Sequence, residues 1–261
     1  MSDLGIGVDP TTPAVARMYD YWLGGKDNFA ADRDTAGRIE ALLPDVPPLA
    51  HANRRFLVRT VRFLAERGVT QFIDLGTGLP TSPNVHEIAR EVQPGARVVY
   101  TDIDAMVIAH SRAMATFGGV VSVHADMRDP CAVLGDPDVR RLIDFDKPVA
   151  LLMIAVLPYL GASDDLTGIL ARYRAGVPRG SYFAMSVATD EGLDETVIRH
   201  AENILGRASV PAHFWPRPEI DEMLTAIDPV RPGVVPINEW RATEPPLNIR
   251  MLGAVGRFRP E

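Results

Sequence analysis

Apolar residues recur at helical spacing along the first 68 positions, and from about residue 70 short continuous apolar runs alternate with helical stretches. Val15, Met18, Tyr19, Trp22 and Leu23 share one face of a helix that Thr12-Pro13 opens and Gly24-Gly25 stops. Asn28 is placed to cap a second helix through about Leu43, after which Pro44, Pro47 and Pro48 break the chain. A third helix is expected from about His51 to Glu66, stopping at Gly68. The runs beyond predict strands near 70–75, 97–101, 119–124, 148–155 and 181–187, with helices near 84–92, 105–117 and 164–176 between them. Such alternation predicts a parallel sheet with helices on both faces. Helices near 191–206 and 217–226 precede two last apolar runs, 230–236 and 249–256, and no internal repeat is visible.

Chemistry gathers where these strands end. Asp74-Leu75-Gly76-Thr77-Gly78 puts a carboxylate and two glycines where the first strand enters a turn, the place where an α/β sheet holds a nucleotide-like ligand. Gly76 and Gly78 let a ligand lie against the main chain, and Asp74 can accept from a cationic amino group. A dinucleotide fingerprint needs a third glycine where Thr81 stands, so the pattern suits S-adenosylmethionine better than NAD(P). Asp102 ends the second strand, at the usual reach for a ribose-binding acid. Asp104 is better placed to start the next helix. Asp126 follows the third strand and can accept from the exocyclic amine of adenine, with Ile103 and Met127 offering apolar contact to the ring.

Composition narrows the function classes. The 261 residues, 46% of them hydrophobic, suffice for one sizeable core and a single α/β domain with an appended segment. A net charge of −7 opposes a broad nucleic-acid surface. The start, Met1 to Pro10, lacks a targeting pattern, and the longest apolar run, Val149 to Leu157, is too short to cross a bilayer, which together point to a cytoplasmic protein. Cys131 is the only cysteine and the six histidines show no zinc spacing, so no metal is expected.

The order Asp74-x-Gly76-x-Gly78, Asp102, Asp126 resembles the class I, Rossmann-like S-adenosylmethionine-dependent methyltransferases. More narrowly, Val15 to Arg33 with its Gly24-Gly25-Lys26-Asp27-Asn28-Phe29 turn, Asn53 to Leu57, Asp74 to Glu87, Phe214 to Arg217, Gly233 to Pro236 and Trp240-Arg241 resemble a bacterial S-adenosyl methyltransferase family long carried as a domain of unknown function. Where members of that family often carry histidine after the fourth strand, this chain has Pro158 before Tyr159.

The resemblance implies a mostly parallel sheet with an antiparallel C-terminal edge pair, residues 69–261 as the methyltransferase core and residues 1–68 as a helical lid. It implies methyl transfer to an unidentified small-molecule acceptor, with a non-catalytic cofactor-binding protein or an NAD(P)-dependent oxidoreductase as rivals. In the lid, Gly25 offers a hinge, Lys26 a partner for the cofactor carboxylate, and Tyr19, Tyr21 or Phe29 an aromatic face for the sulfonium. Arg17 and Arg54 are further anion-binding candidates. Tyr159, His86 and Asp190 are candidate bases, while His213, beside Phe214 and Trp215, reads as part of a buried aromatic cluster.

Overall fold

The computed structural model describes residues 8–114, 118–161 and 164–259. Three helices come first: α1 (Val15–Trp22), α2 (Ala30–Leu42) and α3 (Val46–Glu66). The first begins after Ala14, two residues beyond the Thr12 start read from the sequence. Its support comes from α2, where buried Asp32 accepts from the Ala14 and Phe29 N–H groups at 2.8 and 2.7 Å and from Arg17 Nε at 2.7 Å. One carboxylate thus satisfies free N–H groups ahead of two helices, so Asp32 rather than Asn28 organises the start of α2. Pro47 and Pro48 lie in the first turn of α3 instead of breaking the chain, because first-turn N–H groups have no helical partner to lose.

Next come β1 (Gln71–Leu75), α4 (Val85–Val92), β2 (Arg97–Asp102), α5 (Ala105–Met114), β3 (Val120–His124), α6 (Pro130–Gly135), α7 (Pro137–Leu142) and β4 (Ala150–Ile154). They are followed by α8 (Leu166–Gly176), β5 (Tyr182–Ala188), α9 (Glu195–Leu205), α10 (Arg217–Met223), β6 (Ile227–Pro229), β7 (Val235–Pro236) and β8 (Met251–Phe258). The strands form one sheet in the order β3-β2-β1-β4-β5-β8-β6, with β7 also on β8. The first five are parallel, whereas β8 runs antiparallel to β5, and β6 and β7 run antiparallel to β8.

Two readings need correction here. The expected run 230–236 is divided: Pro229 and Pro232 cannot donate to a ladder, and the chain turns at Gly233, whose N–H donates to the Val230 carbonyl at 2.8 Å. The pair α6 and α7 was not foreseen, although each opens with an aspartate cap followed by proline, Asp129-Pro130 and Asp136-Pro137. The last three residues of the helix expected over 105–117, and the first seven of the chain, lie outside the described residues.

Alternate strand residues face two cores. Phe72, Val98, Tyr100 and Leu152 pack with α1–α4 and with Trp240, whose indole sits edge-on to Phe56 and Phe63 at 5.5 and 5.4 Å. Ile73, Val99, Leu151 and Met153 pack with α6–α8 and α10 on the other face. The period of two sends each strand's side chains to opposite layers. The carboxyl ends of β1–β5 are therefore left as the place where the two helical layers part.

Candidate functional site

At that edge the β1 turn docks on β2. The Gly76 and Thr77 N–H groups both donate to the Thr101 carbonyl, at 2.8 and 2.9 Å, and the Gly78 N–H donates to Asp102 Oδ2 at 3.0 Å. Gly76 takes φ +70°, and a Cβ there would stand 2.5 Å from Val156 Cγ1. Gly78 takes φ +66° with open space around its missing Cβ. Both conformations favour glycine, and the backbone itself becomes a wall of the cavity above it.

That cavity, about 160 Å³, is lined by Asp74, Gly76, Gly78, Asp102, Ile103, Asp126 and Met127, with Tyr19 and Tyr159 at its side. The three strand-end carboxylates expected from the sequence thus face one space. Ile103 is 45% exposed and is the one large apolar side chain left open among the described residues, as a surface meant for an apolar ring would be. Asp104 caps α5, accepting from the Met106 N–H at 2.8 Å.

The electrostatics differ among the acids. Burial pushes the Asp74 carboxyl up to about 6, against a hydrogen bond from Thr77 Oγ1 and the nearby Arg54 charge, with Asp102 adding to the rise. Burial also raises Asp102, although the Asp104 and Gly78 N–H groups favour its ionised form. At Asp126 burial acts upward too, but the Arg128 guanidinium, donating to both carboxylate oxygens at 2.7–3.0 Å, holds it below the ordinary value. Among the described residues no cationic side chain is hydrogen-bonded to the buried acids Asp74 and Asp102, an arrangement that favours a positively charged or hydroxyl-rich ligand.

Several expected residues lie elsewhere. Gly25 and Lys26 are exposed and outside the cavity lining. Their turn folds around buried Asp20, whose carboxylate accepts from the Asp27 N–H and Asn28 Nδ2, both at 2.9 Å, and leaves no room for a Cβ at Gly25. Arg17 is buried against Asp32, which removes it as an anion binder. His86 is buried on α4 with Nδ1 2.8 Å from the Tyr100 hydroxyl, and burial holds its imidazole below the ordinary value. Asp190 lines neither this cavity nor its neighbour.

Of the other lining residues, Arg54 was an anion-binding candidate in the sequence, whereas Asn53 and Ala155 carried little or no mark. Arg54 reaches in from α3, its Nη2 donating to the Thr81 and Pro83 carbonyls at 2.6 and 2.8 Å. Asn53 donates to the Tyr19 hydroxyl at 2.9 Å and accepts from Ser186 Oγ at 2.7 Å, joining α1, α3 and β5 beside the cavity. Both lie within the Asn53 to Leu57 segment, which was the available signal. Ala155 had none: it sits at φ +59° after β4, held by Ser186, in a conformation rare for a residue with a Cβ.

A second cavity opens next to the first, and Tyr19, Ala155 and Tyr159 line both. Pro158 lies on its wall within a short 3-10 turn and accepts from the His213 N–H at 2.7 Å.

A family model for S-adenosyl methyltransferases matches residues 3–258. Two solved structures are similar over nearly their whole lengths. A DUF574 family protein from Streptomyces avermitilis is 35% identical with a TM-score of 0.91, covering 96% of this chain and 99% of that one. A proposed methyltransferase from Thermobifida fusca is 38% identical with a TM-score of 0.90, covering 99% and 100%. Human N-acetylserotonin methyltransferase, solved with S-adenosylmethionine, shares the fold at 12% identity, with a TM-score of 0.51 over 93% of this chain and 62% of that one. No curated protein matches. The chain belongs to the S-adenosyl methyltransferase family and is an S-adenosylmethionine-dependent methyltransferase. No described helix is long and apolar enough to cross a membrane.

Proposed function

We propose that this methyltransferase holds S-adenosylmethionine in the first cavity and moves its methyl group to a small-molecule acceptor in the second. The observation that carries this reading is that Asp74, Asp102 and Asp126, from three successive strand ends, line one space together with the glycine turn and exposed Ile103. Asp74 pairs with the amino acid ammonium, and Arg54 faces its carboxylate in the place first sought for Lys26. Asp102 accepts from the ribose hydroxyls, while Asp126 takes the adenine amine through lone pairs that Arg128 leaves free. Ile103 and Met127 cover the ring faces, and Tyr19 offers its aromatic face to the sulfonium.

The cavity's chemistry fits such a ligand: two buried acids with no cationic side chain hydrogen-bonded to them among the described residues, apolar side chains for a flat ring, and main chain exposed at Gly78. S-Adenosylmethionine supplies the activated methyl group. The chain's own residues have to orient the acceptor in line and keep water out. Within residues 1–68 the described helices α1–α3 act as a lid on the core that begins at residue 69, since α1 brings Tyr19 to both cavities. A bacterial, cytoplasmic setting belongs to the same reading, supported by the two bacterial relatives and by free, exposed Cys131.

Calorimetry with S-adenosylhomocysteine tests the assignment. Asp102→Ala, shown folded by its thermal transition, is expected to bind about 30-fold more weakly, near the ~2 kcal/mol of a hydrogen bond to a charged group. Unchanged affinity removes Asp102 from the site.

A further inference from the structure

The second cavity, about 90 Å³, is walled by Trp22, Leu43, Leu205, Phe214, Ile249 and Met251, contributed by α1, the residue that follows α2, α9, the segment between α9 and α10, and the C-terminal segment. Among the described residues its lining includes no carboxylate, lysine or arginine. A charged acceptor entering there would lose its hydration without a counter-charge, which disfavours carboxylates, phosphates and ammonium compounds.

Two polar groups stand on this wall. Burial raises Tyr159 well above the usual phenol range, so at neutral pH its hydroxyl stays protonated and acts as a donor rather than a base. That hydroxyl makes no hydrogen bond among the described residues, and Tyr159 borders both cavities. The other group is His213. Its Nδ1 lies 3.2 Å from Glu202 Oε1 on α9, its main-chain N–H is fixed on the Pro158 carbonyl at 2.7 Å, and its ring meets Trp215 edge-on at 5.5 Å. With Nδ1–H donated to the carboxylate, the lone pair of the imidazole is on Nε2. An oriented imidazole on an otherwise apolar wall has the parts of a general base.

We propose that the acceptor is a neutral, flat, mainly apolar molecule bearing one acidic hydroxyl, of the phenol or enol class, and that His213 takes its proton while Glu202 positions His213. This inference rests on the assignment of the first cavity to the cofactor. As the new O–CH3 bond forms, the S–CH3 bond breaks and its electron pair stays on sulfur, giving a neutral thioether. The hydroxyl proton passes to Nε2 of His213, leaving an imidazolium beside Glu202. The ring is partly open to solvent, which lets the proton leave after turnover. Tyr159 donates a hydrogen bond to the acceptor.

The test uses the full chain, S-adenosylmethionine and two phenols of different acidity, para-methoxyphenol and para-nitrophenol. Wild type is expected to methylate both. His213→Ala is expected to lose about 100-fold or more in kcat on para-methoxyphenol. It should stay within about threefold on para-nitrophenol, whose more acidic hydroxyl gives up its proton with little help from a base, and added imidazole should restore the loss. Glu202→Gln should show the same pattern at smaller size. Calorimetry with S-adenosylhomocysteine, unchanged in both variants, establishes that they fold. Equal losses on the two phenols, or methylation of para-methoxyaniline but of neither phenol by wild type, overturn the inference while leaving the cofactor assignment intact. Failure of wild type to bind S-adenosylhomocysteine overturns both.

Discussion

The two cavities share Tyr19, Ala155 and Tyr159 but are built in opposite ways. The first is acidic and made mainly from contiguous strand-turn segments, each delivering a carboxylate or glycine at a fixed offset from a strand. The second is apolar and assembled from helices and segments near both ends of the chain, with contributions from α1, α2, α3, α9, residues 212–214, Ile249 and Met251. The difference indicates that recognition of the methyl donor is local in sequence, while recognition of the acceptor depends on packing across the whole chain.

Filling the second cavity is the strongest way to separate the two. Ala212→Trp adds bulk on its wall alone, so acceptor turnover should fall about 100-fold, in line with the cost of forcing large groups into a packed space. S-Adenosylhomocysteine affinity in calorimetry should stay within about twofold. A matching loss of cofactor affinity would show that the cavities are not independent.

Acid should act on the first cavity through Asp74. Its carboxyl, pushed up to about 6 by burial, is neutral at lower pH and cannot pair with an ammonium group. Cofactor affinity is therefore expected to rise about tenfold from about pH 5 to about pH 7 and to level above that, with the slope much reduced in Asp74→Asn. Stability of the ligand-free protein moves the other way. Between the ordinary value of 3.8 and about 6 the native state holds more protons than the unfolded chain, so stability falls as pH rises through that window. Denaturation at several pH values with and without S-adenosylhomocysteine checks both signs.

The smallest effect is expected at Lys26. Exposed and outside both linings, it should tolerate Lys26→Ala with cofactor affinity changed less than about twofold. A larger change in calorimetry would mean that the Gly24–Phe29 turn closes over the first cavity in the bound state.

In the segment containing that turn the residues that stand out in the sequence have a structural use. Glycines, a lone lysine and aromatics suggested a ligand clamp, yet Gly25 is required by the Asp20 carboxylate beside it, and Arg17 by Asp32. A motif can be specific because it folds one turn, and its residues alone do not distinguish that from ligand contact. At His213 the aromatic packing expected from the sequence is present, edge-on to Trp215. Its neighbours in sequence gave no sign of Glu202, which the packing of α9 brings to its ring, or of the cavity on its flank.

By itself the sequence determined the parallel core, the strand ends and the three acids with their glycine turn, because apolar periodicity and strand-to-turn spacing are short-range properties of the chain. The tertiary structure decided that Arg54 and not Lys26 reaches the first cavity, that Ala155 adopts a left-handed backbone, and that residues as distant in the chain as Tyr19 and Met251 enclose the second. Those outcomes depend on how helices stack across the sheet, which is set by contacts between residues far apart in the chain and leaves no fixed spacing in the sequence to read.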